Sequence, residues 1–179
     1  MMKKLFLVFF LSLAVLHLSA QDGLSPEFKA RMSEGMVCMS YSWLADNNGR
    51  QYGGDGIVVC QDGAFLLKSP DFSVYDDGES MWTVYEAAKE VVGETSARLD
   101  ITGDPASMLK LFGFEKKGAE VRFINDKEGN LSGIDLKLKD GTQVSIVIPE
   151  ILFQERDSLA VFSFDPSTLD SSYVVTDLR

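Results

Sequence analysis

Histidine is nearly absent from this chain of 179 residues, which also holds only two cysteines and five prolines. The single histidine, His17, falls within a segment, 1–20, that reads as an export signal: Lys3 and Lys4, an apolar run over 5–16, and the small residues Ser19-Ala20 at the cut. The remaining 21–179, read as one domain, then has no imidazole. That excludes Ser-His-Asp and Cys-His nucleophilic catalysis, His-ligated zinc and general-base chemistry by histidine. Two cysteines exclude a four-thiolate metal site, and no cofactor is expected.

Cations are scarce as well. Lys and Arg number 17 against 27 Asp and Glu, for a net charge of −10. Loss of the signal removes two lysines and no acid, which takes the charge to −12. Such a charge argues against binding nucleic acid, which needs clustered cations against phosphate, and against resting on an anionic membrane surface. No second apolar run approaches the roughly 20 residues of a membrane span. Position 21 is glutamine where a lipid-anchored protein would have cysteine, so the expected product is free in the periplasm.

The first element after the signal is a helix. Ser25 is its N-cap, Pro26 its first residue and Glu27 its early acid, with Leu24, Phe28 and Met32 on one side and Gly35 at the end. Alternating patterns then predict strands over 36–44, 56–60, 64–68, 72–75, 80–85 and 90–93. A second short helix starts at Asp104-Pro105 and carries Met108, Leu109, Leu111 and Phe112 before Gly113. Strands resume over 119–125, 131–139, 143–149 and 159–165. Hairpin-length spacings make the sheet antiparallel and meandering.

About ten strands and two short helices form an α+β chain that is mainly β. Two helices of about ten residues cannot cover the apolar face of so wide a sheet. The sheet must therefore curl on itself, around an interior that is either packed solid or holds a ligand.

The most distinctive local pattern is Tyr75-Asp76-Asp77-Gly78-Glu79-Ser80-Met81-Trp82-Thr83-Val84-Tyr85, followed by Glu90-Val91-Val92. Asp77-Gly78 is a tight turn, and the next strand has aromatics on both faces. This hairpin resembles that of the periplasmic outer-membrane lipoprotein carrier (LolA-like) proteins, with Glu79 in place of a lysine and Tyr85 one residue beyond the family's tyrosine. Gly56 to Leu67, the helix from Asp104 to Phe112, the segment Phe162-Ser163-Phe164-Asp165 and the final Asp177-Leu178-Arg179 are similar to family segments in the same order. The resemblance spans nearly the whole of 21–179. It implies an incomplete, strongly curved β-barrel with short helices as a lid over an apolar cavity. It also implies a monomeric, non-enzymatic carrier that takes acylated lipoproteins from an inner-membrane ABC transporter to an outer-membrane acceptor. The chain departs from the family at Gln61-Asp62-Gly63, where proteobacterial members have a lid-latching arginine before a proline.

Candidates for the cavity lining are Trp43, Phe65, Phe72, Trp82, Met108, Leu111 and Phe112. Cys38 and Cys60 lie on strands expected to be neighbours, and register decides whether they bond. A three-residue loop centred on Gly49 sets them opposite each other, whereas a two-residue Asn48-Gly49 turn faces Cys60 with Val37, and a longer loop through Gly53-Gly54-Asp55-Gly56 is a third arrangement. The acid pairs Asp76-Asp77, Asp126-Glu128 and Glu150-Glu155 are read as turn or loop residues facing water. Two functional alternatives accompany the carrier: an interaction domain of the same fold that senses lipids or lipoproteins, and a hydrolase using paired carboxylates in a wet cleft.

Overall fold

A computed structural model describes residues 20–21, 23–96, 98–100, 104–112 and 118–179. The export signal, apart from Ala20, and the helix stop at Gly113 lie outside the described residues. Among the described residues no helix is long and apolar enough to cross a membrane.

The chain forms β1 (Ala20–Gln21), α1 (Pro26–Glu34), β2 (Met36–Asn47), β3 (Arg50–Gln61), β4 (Ala64–Lys68), β5 (Ser73–Asp76), β6 (Ser80–Tyr85), β7 (Glu90–Thr95), α2 (Pro105–Leu111), β8 (Glu120–Asn125), β9 (Leu131–Lys137), β10 (Gln143–Gln154) and β11 (Val174–Asp177). All the strands join one sheet, in the order β1-β8-β9-β10-β2-β3-β4-β5-β6-β7-β11. The outermost strands do not pair with each other, so the barrel is incomplete. Pairing is antiparallel except at one edge, where β11 runs parallel to β7.

The hairpin of β2 and β3 is longer than the alternation predicts, because its turn is the two-residue Asn48-Gly49. Both residues have positive φ, 53° and 82°, as a tight hairpin turn of this hand requires. The glycine run at 53–56, a candidate loop by composition, stays inside the ladder. Gly54 faces Trp43 and Gly56 faces Tyr41 across the pair. A Cβ at Gly54 would lie 2.9 Å from the indole nitrogen, and one at Gly56 2.5 Å from the Lys68 carbonyl oxygen. These glycines make room for rings lying across the neighbouring strand. Gly93 does the same for Trp82, whose ring would meet a Cβ there at 2.4 Å.

β10 is also longer than expected. It runs through Pro149, which has no N–H to give a ladder, and the register with β2 shifts between Val147 and Glu150. The segment over 159–165 is not a strand. Ser158 caps a single 3₁₀ turn at Leu159–Phe162, accepting the Ala160 N–H on its hydroxyl. That turn drives Phe162 against Ala64 and Leu66 while Leu159 and Val161 stay exposed. Alternating hydrophobicity alone does not separate such a turn from a strand.

One face of the sheet carries the main core. Val37, Met39 and Tyr41 of β2, Val58 and Cys60 of β3, Phe65 and Leu67 of β4, Phe123 of β8, Ile134 and Leu136 of β9, and Val144 and Ile146 of β10 bury together beneath both helices. The opposite face is covered locally by the segment following β10.

The close approach at Gly93 sets a test. Gly93→Ala should destabilise the protein by about 1–3 kcal/mol, because the added methyl must displace a buried indole. Urea unfolding followed by tryptophan fluorescence measures it, and an unchanged midpoint would mean that the ring moves freely.

Candidate functional site

The two helices roof the apolar face. Ser25 caps α1 by accepting the Phe28 N–H at 3.1 Å, and its hydroxyl donates at 2.5 Å to the carbonyl of Gly129 in the β8–β9 turn. Arg31 donates to the Asn130 side chain at 2.6 Å, and its guanidinium lies 3.6 Å from the centre of the Phe153 ring. Phe28 meets Phe153 edge-on from within, at 5.9 Å between centroids. At the helix's other end Arg156 donates to the Ser33 carbonyl at 2.9 Å and pairs with Asp62 at 2.5 Å. Asp62 belongs to the Gln61-Asp62-Gly63 segment, and its cation comes from the stretch after β10. Beside that pair, Gln61 and Asp157 exchange two hydrogen bonds of 2.9 and 3.0 Å. A cleft of about 310 Å³ opens there, lined by Met32, Cys60, Gly63, Leu99 and Arg156 among others.

Six of the seven candidate lining residues belong to the roofed face. Phe65 is buried in its wall, and Trp43 and Phe72 pack half-buried at its margin. Met108 and Leu111 are wholly buried on α2, and Phe112 follows them, meeting Tyr41 edge-on at 5.1 Å. Nothing in the sequence pattern singles out Tyr41, nor Leu109, which is equally buried.

Trp82 is on the other face. It pairs with Tyr75, one residue out of step with the inward Val74 and Asp76, and it is buried with Val84 and Val91 beneath Phe164, Leu169 and Tyr173. Arg179 lies 4.6 Å above its ring and holds Asp177 at 2.7 Å, so that the Asp177 carboxyl falls to about 2 through that bond. The Trp82 hairpin and the terminal Asp177-Leu178-Arg179 segment, two of the patterns that carry the family resemblance, thus form one clasp on the outer face. Parity places aromatics on both faces of β6 but does not say which face the chain's end covers.

The cysteines do not form a disulfide. The Asn48-Gly49 turn pairs Cys60 with Val37 and Cys38 with Val59, so the two thiols point to opposite faces and both are free. Burial pushes the Cys60 thiol up to about 12. Cys38 is half-buried and raised by its own burial and by Glu150.

The acids divide differently from the expectation that all face water. Asp77 and Asp126 cap their turns, each accepting backbone N–H groups, and Glu150 lies within β10. Asp76 is not a loop acid: it ends β5 and is only 1% exposed. Among the described residues no group of three or more His, Cys, Asp or Glu could hold a metal ion.

No protein-family model matches the chain, and no curated protein matches it in sequence. Solved structures do match in shape. An uncharacterized conserved protein from Thermus thermophilus is 7% identical with a TM-score of 0.54, over 84% of this chain and 94% of its own. A LolA superfamily protein from Nitrosomonas europaea is 8% identical with a TM-score of 0.46, over 76% and 94%. A putative outer membrane lipoprotein-sorting protein domain from Vibrio parahaemolyticus is 10% identical with a TM-score of 0.45, over 76% and 93%. At these identities the likeness is one of fold.

Two measurements follow. Unfolded, unreduced protein should titrate two thiols, and native protein only Cys38, slowly; no thiols on unfolding would mean that the strands pair in the other register. Burial raises the Asp76 carboxyl above the ordinary 3.8, against the lowering bonds from Ser96 and Gly78. A carboxyl raised on folding gives stability that is complete at low pH and is lost as pH climbs through its folded value. The melting-temperature advantage of Asp76→Asn over the parent should therefore be larger at pH 7 than at pH 3.5. A difference that does not move with pH would show the carboxyl to be unperturbed.

Proposed function

We propose that this protein is a periplasmic, non-enzymatic carrier that holds the acyl chains of lipoproteins against the roofed apolar face and moves them from the inner to the outer membrane. The observation that carries this reading is the apolar wall of an open sheet roofed by two short helices. An acyl chain gains about 0.8 kcal/mol per buried methylene, so a chain of roughly sixteen carbons resists crossing water by about 12 kcal/mol and needs an enclosing apolar wall throughout. A wall of Phe65, Val58, Ile134 and Ile146 opposite Met108, Leu111 and Phe112 supplies such surface when the roof lifts. The rim contacts of α1 with Gly129, Asn130 and Arg156 are polar and can exchange with water, which suits a roof that opens. A flexible thioether at Met108 suits a surface that repacks around different chains. The sequence resemblance to LolA-like carriers supports the same reading and supplies its partners, a releasing ABC transporter and an outer-membrane acceptor.

The test is native mass spectrometry on the full chain exported to a bacterial periplasm, followed by extraction and identification of lipids. A stoichiometric acyl-bearing adduct is expected. Phe112→Glu should abolish it, whereas Trp82→Ala, which removes a buried aromatic from the other face, should lower the melting temperature and leave the adduct in the folded fraction. A clean ligand-free mass, with no binding of added acylated peptide, would overturn the proposal.

A further inference from the structure

The roofed face is apolar apart from a few side chains, and two of these are buried with polar atoms left unpaired. Asp76 accepts the Gly78 N–H on one carboxylate oxygen at 2.8 Å and has the Ser96 side chain as a second polar neighbour, while its other oxygen, Oδ2, receives no hydrogen bond. Asn125, also 1% exposed, has neither amide atom paired, but it lies in β8, six strands from β5. A buried acceptor left unpaired loses the hydrogen bond it had to water, and the loss is greater if it is charged. The turn does not require that cost. Asp77 already receives the N–H groups of Glu79 and Ser80, and Gly78 needs only one acceptor, which serine or asparagine would supply as well.

The position of the unpaired oxygen is informative. Asp76 pairs with Phe65 on one side and Met81 on the other, so its side chain shares the face on which both meet the main core. It is also the last residue of β5, at the end of the wall and beside the turn. A ligand whose hydrocarbon lies along the wall would bring its polar end to such a place.

We propose that Asp76 is a specificity residue of the interior, its unpaired oxygen accepting a hydrogen bond from a donor, such as an amide N–H, a hydroxyl or an ammonium group, at the polar end of an acyl ligand. The proposal rests on the carrier reading and narrows it to acyl compounds that bear a donor next to the chain. A hydrocarbon tail alone leaves the oxygen as it is. A ligand whose head only accepts hydrogen bonds adds a second acceptor against it.

The test uses two probes with the same chain and the same carbonyl, N-methylpalmitamide with one N–H and N,N-dimethylpalmitamide with none, titrated below their aggregation limits into the full chain. The parent protein should bind the N–H probe at least tenfold more tightly. Asp76→Asn, which presents an amide donor at the free position, should abolish or reverse that preference. Should the asparagine variant fail to fold, Asp76→Ser keeps an acceptor for Gly78 and should abolish the preference. Equal affinities in the parent, or an unchanged ratio in the variant, would overturn the role of Asp76 while leaving the carrier reading standing. Binding of neither probe, nor of any acylated peptide, by the parent would overturn both.

Discussion

Because side chains on a strand alternate between faces, the pairing register of one hairpin decides the contents of both sides of the sheet. Here the two residues Asn48 and Gly49 set it. With that turn, Val37, Met39 and Tyr41 share a face with Val58 and Cys60, and β4, β8, β9 and β10 add their apolar rows to the same side. A one-residue slip would send Cys38 inward beside Cys60 and turn Val37 and Met39 out, losing several fully buried side chains at about 1.5–3 kcal/mol each. The roof, the wall and the separation of the thiols all depend on this choice.

Glycine and aromatic residues then shape the wall. Tyr41 over Gly56, Trp43 over Gly54 and Trp82 over Gly93 are the same device used at three places, a ring occupying the space where the neighbouring strand has no side chain. The first two keep bulk off the middle of the longest hairpin. The third lets Trp82 sit flat enough for Phe164 and Arg179 to close over it. Removal of the rings and enlargement of the glycines are therefore two versions of one perturbation.

Much of this is legible in the sequence, and what is not has particular causes. Ser25-Pro26-Glu27 marks α1 because capping chemistry is local, and the strands from 64 to 95 are evident from their alternation, with Asp62-Gly63 and Asp77-Gly78 marking two of the turns. The strand expected over 159–165 does not form, although Leu159, Val161 and the residues after them alternate, because the N-capping Ser158 and the bonds between Gln61 and Asp157 hold the segment in a turn. The edge strand β11 has only exposed side chains, so it leaves no burial pattern to read. In the site, apolar character picks out seven candidates of which six lie on the roofed face, but it does not separate Trp82 from them, since the covering of its face is a contact between residues nearly a hundred apart. Asp76 does not stand out because an acid before Asp-Gly looks like any other turn residue. Its burial is a property of the assembled sheet.

The sheet ends at β1 on one side and β11 on the other, and those margins are not bonded to each other. A closed barrel has a circumference fixed by its strand number and stagger, so its interior cannot widen without breaking a ladder. An open sheet has no such fixed girth. Its curvature can relax through small changes of twist spread over ten strand interfaces, each keeping its hydrogen bonds, while the two helices ride on the rim. In the carrier role proposed above, thick and thin occupants would be accommodated by elastic bending of the whole wall.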